Sequence, residues 1–302
     1  KGRELALLRP HESEPFWGVQ LAANKPVVAA DAAKLAVDRG ARFVDLNCGC
    51  PIREAVRRGM GCALLKAPGP FGRVLSAMVQ AVDVPVTVKI RIGWSESRIN
   101  ASELCRIAEE AGVQGIVVHG RTREQRYSRS ADWGLIGQLA AERSVPVLGN
   151  GDVLTWYEAQ DKLAQSGAAG LMVARGALVK PWIFQELREG RELCLSGSQR
   201  VAVYHRLAGY LKEVFRDDAM GRRRAMVFLP WHMKFFCRYR PLPEADWREA
   251  SREHPLLQRR DTNPDPVDAL ERVLASTDET VHQQIAEALW DAATAAEAER
   301  VI

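Results

Sequence analysis

VPVLGNGD (145–152) is a short apolar run that ends in glycine, asparagine and aspartate, and AGLMVARGAL (169–178) follows it with a second glycine-containing end. Continuous apolar runs bounded by turn residues predict parallel strands buried on both faces. Glycine-rich ends on the last two strands are typical of a (β/α)8 barrel, where the loops after strands 7 and 8 form a phosphate site. A Rossmann sheet would instead carry its glycine-rich loop after the first strand.

Four more runs of this kind precede the pair, and stretches with helical periodicity separate them. The runs are FWGVQLA (16–22), RFVDLNCGCP (42–51), VPVTVKIRIG (84–93) and QGIVVHGRT (114–122). The alternation predicts an α/β fold with a parallel sheet, and the glycine-rich ends favour a (β/α)8 TIM barrel. Six of eight strands are legible. We therefore expect the first two strands to be missing, with their edges covered by an absent segment or a partner chain.

After Phe184 the periodicity is helical throughout. Residues 1–184 are therefore predicted to form a partial TIM-barrel domain, and residues 185–302 a small helical domain with DTNPDP (261–266) as a linker. Within the barrel region, Gly40, Gly112 and Gly167 are predicted to follow helix C-termini. Asn100 is predicted to be an N-cap, with Glu103 as its capping-box partner.

The composition limits the class of protein. The chain has 302 residues, 47% hydrophobic and 26% charged, which predicts a soluble globular protein with a sizeable core. A net charge of +4 is compatible with a nucleic-acid partner. No apolar run is as long as a membrane span, and the first residue is lysine, so an upstream segment is expected. The six cysteines form no CxxC pair, which predicts free thiols in a reducing compartment.

Several strand ends carry polar side chains that could perform chemistry. Cys50 lies on a turn between Gly49 and Pro51, where a thiol can act as a general acid or a nucleophile; inert packing is the alternative. Lys89 lies in an apolar strand, where a buried ammonium must be paired with an anion or a ligand. A purely structural ion pair is the alternative to a functional role. The other candidates at strand ends are Gln20, His119, and a phosphate-binding group made of Asn150, Gly151, Asp152, Arg175 and Gly176.

The loop HGRTREQRYSRSADW (119–133) interleaves arginines with Tyr127 and Trp133. Basic residues alternating with aromatics suit a single-stranded or splayed nucleic acid. A solvated basic loop is the alternative interpretation.

Six motifs in order resemble the tRNA-dihydrouridine synthases: LNCGCP (46–51), GMGCALL (59–65), PVTVKIRIGW (85–94), VHGRTREQRYSRSADW (118–133), GNGD (149–152) and ARGALVKPWIF (174–184). Two further features resemble the third eukaryotic subfamily, which acts on the variable-loop uridine: Ile52 after Pro51, and FLPWHMKFFCRYRPLP (228–243). The Ala-Pro motif of the family's first strand is not present in this sequence.

The resemblance implies a flavin enzyme that reduces uridine to 5,6-dihydrouridine in tRNA. NADPH would reduce bound FMN, the hydride would pass to C6 of a flipped-out uracil, and Cys50 would protonate C5, with Cys48 as strand filler. Gln20, Lys89 and His119 would lie at the flavin ring. The residues implied at the FMN phosphate are Asn150, Gly151, Asp152, Ala174 and Arg175, and those implied at the RNA are Arg91, Arg121, Arg123 and Tyr127.

Two other interpretations stay open from the sequence. One is a catalytically inactive structural or RNA-binding homologue held in a larger assembly; the other is a different FMN barrel, such as a dihydroorotate dehydrogenase. The resemblance implies a helical domain that binds tRNA, and a cytoplasmic or nuclear location, with an organellar form as the alternative.

Overall fold

A computed structural model describes residues 8, 10–12, 14–259 and 268–302 of the chain. The linker predicted at 261–266 lies outside these residues. The chain divides into two compact units: the first comprises Lys1–Gly151 and Gln160–Val173, and the second comprises Asp152–Ala159 and Ala174–Ile302. The domain boundary predicted at Phe184 stays a prediction.

The first unit contains a parallel sheet. Its strands are β1 (Val19–Leu21), β2 (Val44–Cys48), β3 (Val86–Arg91), β4 (Gly115–His119), β5 (Val147–Asn150) and β6 (Gly170–Met172). Within the described residues each strand pairs in parallel with the next one in sequence. A doubly wound sheet would reverse its strand order at a switch point. The consecutive order is that of a barrel wall, so the prediction of an α/β fold of the TIM-barrel type is confirmed.

Helices connect the strands. They are α1 (Pro26–Asp38), α2 (Arg53–Arg57), α3 (Pro68–Val79), α4 (Ala101–Glu110), α5 (Trp133–Glu142) and α6 (Trp156–Ser166), with a 3-10 helix at Gly61–Lys66. In the longer helices small or apolar residues recur every three or four positions, which gives the helix one buried stripe. In α1 that stripe is Ala29, Ala33 and Ala36, and in α3 it is Phe71, Val74, Leu75 and Met78.

The two faces of the sheet differ in chemistry. On one face Leu46, Cys48, Val88, Ile90 and Val118 are completely buried. The residues that alternate with them are largely polar, namely Asp45, Asn47, Thr87, Lys89, Arg91 and His119. Successive side chains point to opposite faces, and β2 and β4 are largely buried on both, with one face apolar and the other polar. The polar face is available for a functional site.

The three glycines predicted at helix C-termini lie just after helices in the structure. Gly40, Gly112 and Gly167 each have positive φ and directly follow the last turns of α1, α4 and α6. Asn100 occupies the N-cap of α4, but its side chain makes no capping hydrogen bond and instead donates to the carbonyl of Leu65. The predicted capping box is therefore wrong, because a tertiary partner competes for the asparagine amide.

The second unit is helical within its described residues. Its helices are α7 (Arg175–Val179), α8 (Ile183–Glu189), α9 (Gly197–Phe215), α10 (Ala219–Phe236), α11 (Glu244–Glu253), α12 (Ala269–Leu274), α13 (Glu279–Asp291) and α14 (Ala295–Val301). Tyr204 and Phe236 stack with ring centroids 4.2 Å apart in a core that also buries Leu229 and Trp290. Among the helices of the described ranges, none combines the length and the apolar character needed to cross a bilayer.

Candidate active site

The turn after β2 is held from two sides and carries Cys50. On one side, the side-chain oxygen of Asn47 accepts hydrogen bonds from the backbone N–H groups of Gly49 (3.1 Å) and Cys50 (2.9 Å). On the other, the backbone N–H of Cys62 donates to the carbonyl oxygen of Cys50 at 3.0 Å. Gly61 has a φ of +59°, and a Cβ atom there would lie 2.6 Å from that carbonyl, so only glycine fits.

Three cysteines lie in or next to this turn, and their environments differ. Cys48 and Cys62 are fully buried, whereas Cys50 is partly exposed. Burial raises the pKa of the Cys48 thiol well above its usual value, and it raises the pKa of Cys62 to about 11. Of the three, Cys50 is therefore the thiol that a substrate could reach.

A chain of side-chain hydrogen bonds crosses the polar face of β1, β2 and β3. Asp45 accepts from the hydroxyl of Thr87 and from the Nε2 of Gln20, each at 2.7 Å. The Oε1 of Gln20 accepts from the Nδ2 of Asn47, also at 2.7 Å. Burial raises the pKa of Asp45, while the hydrogen bonds from Thr87 and Gln20 and the charge of Lys89 oppose the rise. A buried carboxylate thus organises the residues around it.

Lys89 lies in register with Asn47 on the neighbouring strand. Burial, reinforced by the charge of Arg91, lowers the pKa of Lys89 to about 8, while Asp45 opposes the shift. No described residue accepts a hydrogen bond from its ammonium. Gln20 donates one of its two amide hydrogens to Asp45, and Asn47 donates one of its two to Gln20. Each side chain therefore keeps one amide hydrogen for another acceptor. Spare N–H donors and a cation together suit a flat heterocycle rich in acceptors, as the flavin ring is.

Arg91 ends β3 and is only 3% exposed. Its Nε donates to the carbonyl of Gly49 at 2.9 Å, and its Nη1 donates to the carbonyl of Thr122 at 3.0 Å. The guanidinium therefore joins the loop after β2 to the loop after β4.

His119 and Arg121 are both buried at the end of β4. The Nη1 of Arg121 lies 3.3 Å from the Nε2 of His119, and its Nε donates to the carbonyl of Arg129. The ring of Tyr127 lies 6.4 Å from that of His119 and 5.8 Å from the Arg121 guanidinium. Tyr127 is 51% exposed, so it is the member of this cluster that is accessible at the surface of the loop.

A second basic cluster surrounds Trp94, directly after β3. The Lys66 ammonium lies 4.1 Å from the centre of the Trp94 ring and the Arg123 guanidinium 4.7 Å from it. Both distances are within the range of cation–π contacts. Within the described residues, no carboxylate forms an ion pair with either cation.

The residues predicted at a phosphate are divided between the two units. In the first, the Nδ2 of Asn150 donates to the carbonyl of Met172 at 2.7 Å, and Gly151 has a φ of +130°. In the second, Arg175 forms an ion pair with Asp152 at 3.3 Å, and Ala174 precedes α7.

The profile of the family "Dihydrouridine synthase (Dus)" matches residues 3–255. The chain belongs to the dihydrouridine synthase family. A relative from Rattus norvegicus, "tRNA-dihydrouridine(47) synthase [NAD(P)(+)]-like", is 40% identical over 243 residues, covering 79% of this chain and 38% of its own. A relative from Coprinopsis cinerea, "tRNA-dihydrouridine(47) synthase [NAD(P)(+)]", is 39% identical over 254 residues with the same coverage.

A bacterial relative, "tRNA-dihydrouridine synthase B" from Pseudomonas putida, is 38% identical over 239 residues, covering 76% of this chain and 70% of its own. The chain spans 38% of the length of the rat and fungal relatives. Among solved structures, mandelate oxidase with benzoyl-formic acid is 20% identical with a TM-score of 0.41, covering 62% of this chain and 56% of its own. That likeness is too distant to support an inference about function.

The candidate site also contains residues that the sequence did not single out, namely Asp45, Asn47, Thr87, Lys66 and Trp94. The first three had a signal in the alternation of VDLNC (44–48) and VTVKIR (86–91), where polar residues recur every second position. Lys66 had none, because its partners are distant in sequence.

Proposed function

We propose that this chain is a tRNA-dihydrouridine synthase that reduces uridine in tRNA to 5,6-dihydrouridine. The observation that carries the proposal is the Cys50 turn, which presents a partly exposed thiol beside a polar sheet face with spare hydrogen-bond donors. The family and the names of its relatives support the same reaction. A variable-loop uridine is the proposed target, because the rat and fungal relatives are named as position-47 enzymes.

In this proposal Cys50 acts as the general acid and donates its thiol proton to C5 of the uracil ring. FMN, when bound, supplies the hydride for C6, with NADPH as the reductant. Gln20 and Lys89 would hold the flavin ring with their spare donors, and the Lys89 cation would favour negative charge there. His119 would lie beside the ring.

The proposed site for the FMN phosphate comprises Asn150, Gly151, Asp152, Ala174 and Arg175. Proposed contacts with RNA begin with Arg123 and Tyr127, because both are accessible to solvent. The buried Arg91 and Arg121 would contribute their positive charge and shape the loops. We propose that the helical residues 185–302 bind the body of the tRNA, and that the protein acts in the cytoplasm or nucleus, as the subfamily resemblance implies.

The test compares the wild-type chain with Cys50→Ala. Each protein is purified, its flavin absorption is recorded, and dihydrouridine formed in an unmodified tRNA transcript with NADPH is measured by mass spectrometry. Cys50→Ala is expected to keep the flavin band and lose dihydrouridine formation. Cys194→Ala, which removes an exposed thiol in the second unit, is the matched control and keeps both. A colourless, inactive wild type would instead favour the inactive structural homologue.

A further inference from the structure

Four side chains form a continuous hydrogen-bonded path that ends at the Cys50 turn. The path starts at Thr87 and passes through Asp45, Gln20 and Asn47, with 2.7 Å at every side-chain step. It ends at the backbone N–H groups of Gly49 and Cys50. The proposed reaction as described above assigns no role to Asp45 or Asn47.

The chemistry of the path fixes its direction. An ionised Asp45 can only accept hydrogen bonds, so Gln20 must turn its Nε2 toward it. That orientation leaves the Oε1 of Gln20 as an acceptor, and Asn47 must then turn its Nδ2 toward Gln20. The Oδ1 of Asn47 is left facing the two backbone donors of the turn. Rotating either amide by half a turn would place like groups against each other at both of its ends.

Through this path, the position of Asp45 in the sheet determines how the Asn47 amide is oriented toward the turn. Asp45 is buried among strand residues whose positions are set by the ladder between β1, β2 and β3. The turn itself contributes only backbone groups, which would otherwise be satisfied by water. The backbone N–H groups of Gly49 and Cys50 share the single oxygen of Asn47, while the carbonyl groups of the turn accept from the Nε of Arg91 and from the N–H of Cys62.

We propose that Asn47 is a positioning residue that fixes the Cys50 turn, and that Asp45 sets the orientation of Asn47 through Gln20. Asn47 acts through the backbone of the turn and needs no contact with substrate for this role. The kinetic part of the inference rests on the proposed function, whereas the structural part concerns the thiol alone.

The first experiment measures alkylation of Cys50 by iodoacetamide between pH 6 and 10, with the modified residue located by mass spectrometry. In Asn47→Ala the turn loses its acceptor, so Cys50 is expected to react several-fold faster than in wild type at each pH. Asn24→Ala is the matched control, because it removes an amide that donates to the carbonyl of Arg58 elsewhere in the same unit. Cys48 is an internal indicator of unfolding, since it is fully buried in the folded chain.

The second variant, Asn47→Asp, keeps an acceptor for the turn and adds a charge beside it. A carboxylate within hydrogen-bonding distance of the Cys50 N–H should disfavour the thiolate and move the alkylation profile upward by about one pH unit. This result is expected even if Asn47→Ala fails to fold and exposes Cys48. A wild-type profile in Asn47→Asp, or equal profiles for Asn47→Ala and Asn24→Ala, overturns the proposal.

The kinetic test uses dihydrouridine formation in the same variants. Asn47→Ala is expected to lower kcat by about 10- to 100-fold because the thiol is displaced, with KM for tRNA unchanged. If wild type forms no dihydrouridine while the alkylation profiles shift as expected, the proposed function fails and the positioning role stands. If wild type is active and the alkylation profiles do not move, the positioning role fails and the proposed function stands.

Discussion

The Nε of Arg91 donates a hydrogen bond to the carbonyl oxygen of Gly49, one residue before the candidate catalytic cysteine. The same guanidinium reaches the carbonyl of Thr122 through Nη1. One buried cation therefore connects two loops at the ends of non-adjacent strands. Arginine can do this because its donors point in several fixed directions, whereas a lysine ammonium is a compact point charge on a flexible stem.

Arg91→Lys should consequently destabilise the protein. The single ammonium nitrogen of lysine would reach only one of the two buried carbonyl groups, and the unpaired one costs about 2 kcal/mol in the free energy of unfolding. Urea denaturation followed by circular dichroism measures the change. Arg106→Lys, on the exposed surface of α4 where Arg106 pairs with Glu110, should change the value by less than about 0.5 kcal/mol. Equal effects of the two substitutions would show that the Arg91 hydrogen bonds contribute nothing to stability.

Substituting two glycines that have nearly the same φ distinguishes the energetic cost of backbone strain from the cost of steric overlap. Gly61 (φ +59°) faces the carbonyl of Cys50, whereas at Gly167 (φ +61°) no described residue beyond the adjoining chain places an atom within 4 Å of the position that a Cβ would occupy. Gly167→Ala should cost about 1 kcal/mol, the strain of a left-handed residue alone. Gly61→Ala should cost about 3 kcal/mol, because the backbone of the Cys50 turn must also move. The difference between the two urea midpoints is the measurement, and a difference near zero would contradict the described contact.

The lowered pKa of Lys89 predicts a pH dependence for FMN affinity. Lys89 loses its proton as the pH rises through about 8, and a neutral amine attracts the acceptor atoms of the flavin ring less strongly. Affinity for FMN should therefore fall above pH 8, by up to tenfold per pH unit until the pKa of the bound form is reached. Titration followed by flavin fluorescence measures it.

Lys89→Arg and Lys89→Met are the controls for this dependence. The arginine variant stays charged and the methionine variant stays neutral, so neither should show the decline between pH 8 and pH 9. A decline of the same size in Lys89→Met would assign the pH dependence to another group.

The cations stacked on Trp94 predict a salt-dependent contact with RNA. Arg123→Ala should weaken tRNA binding and reduce the slope of log affinity against log salt by about 1, because one phosphate contact is lost. Trp94→Leu should weaken binding similarly, since both cations lose the ring that orders them. Arg106→Ala removes the same charge from the exposed surface of α4 and should leave the slope unchanged. Filter-binding titrations at several salt concentrations decide the matter, and equal slopes for all four proteins would exclude this surface as an RNA contact.

The fold was readable from local patterns. The six apolar runs contain the six strands, and the glycines after α1, α4 and α6 adopt the positive φ expected at helix ends. Such features depend on residues close together in sequence. The barrel-type order also followed, because glycine-rich turns occur on the late strands.

The arrangement of the site was only partly readable. Cys50 and Lys89 are visible because a thiol on a turn and a lysine in an apolar strand are locally unusual. Arg91 shows the limit: its side chain binds carbonyl groups 42 and 31 residues away, and nothing near it in sequence reveals those partners. Asn100 shows the same effect at a helix start, where its Nδ2 donates to the distant carbonyl of Leu65 and its side chain makes no capping hydrogen bond.

The consecutive strand order has a consequence for how the sheet assembles during synthesis. The registers pair Val19 with Val44, Val44 with Val86, and each later strand with the one just before it. Every strand leaving the ribosome can therefore add to a neighbour that has already been made, and none of the described strands must wait for a distant segment. Pairing requires only the connection to the preceding strand to close, and the entropy cost of closure rises slowly with its length. The sheet is thus suited to growth from its amino-terminal strand, one strand and helix at a time.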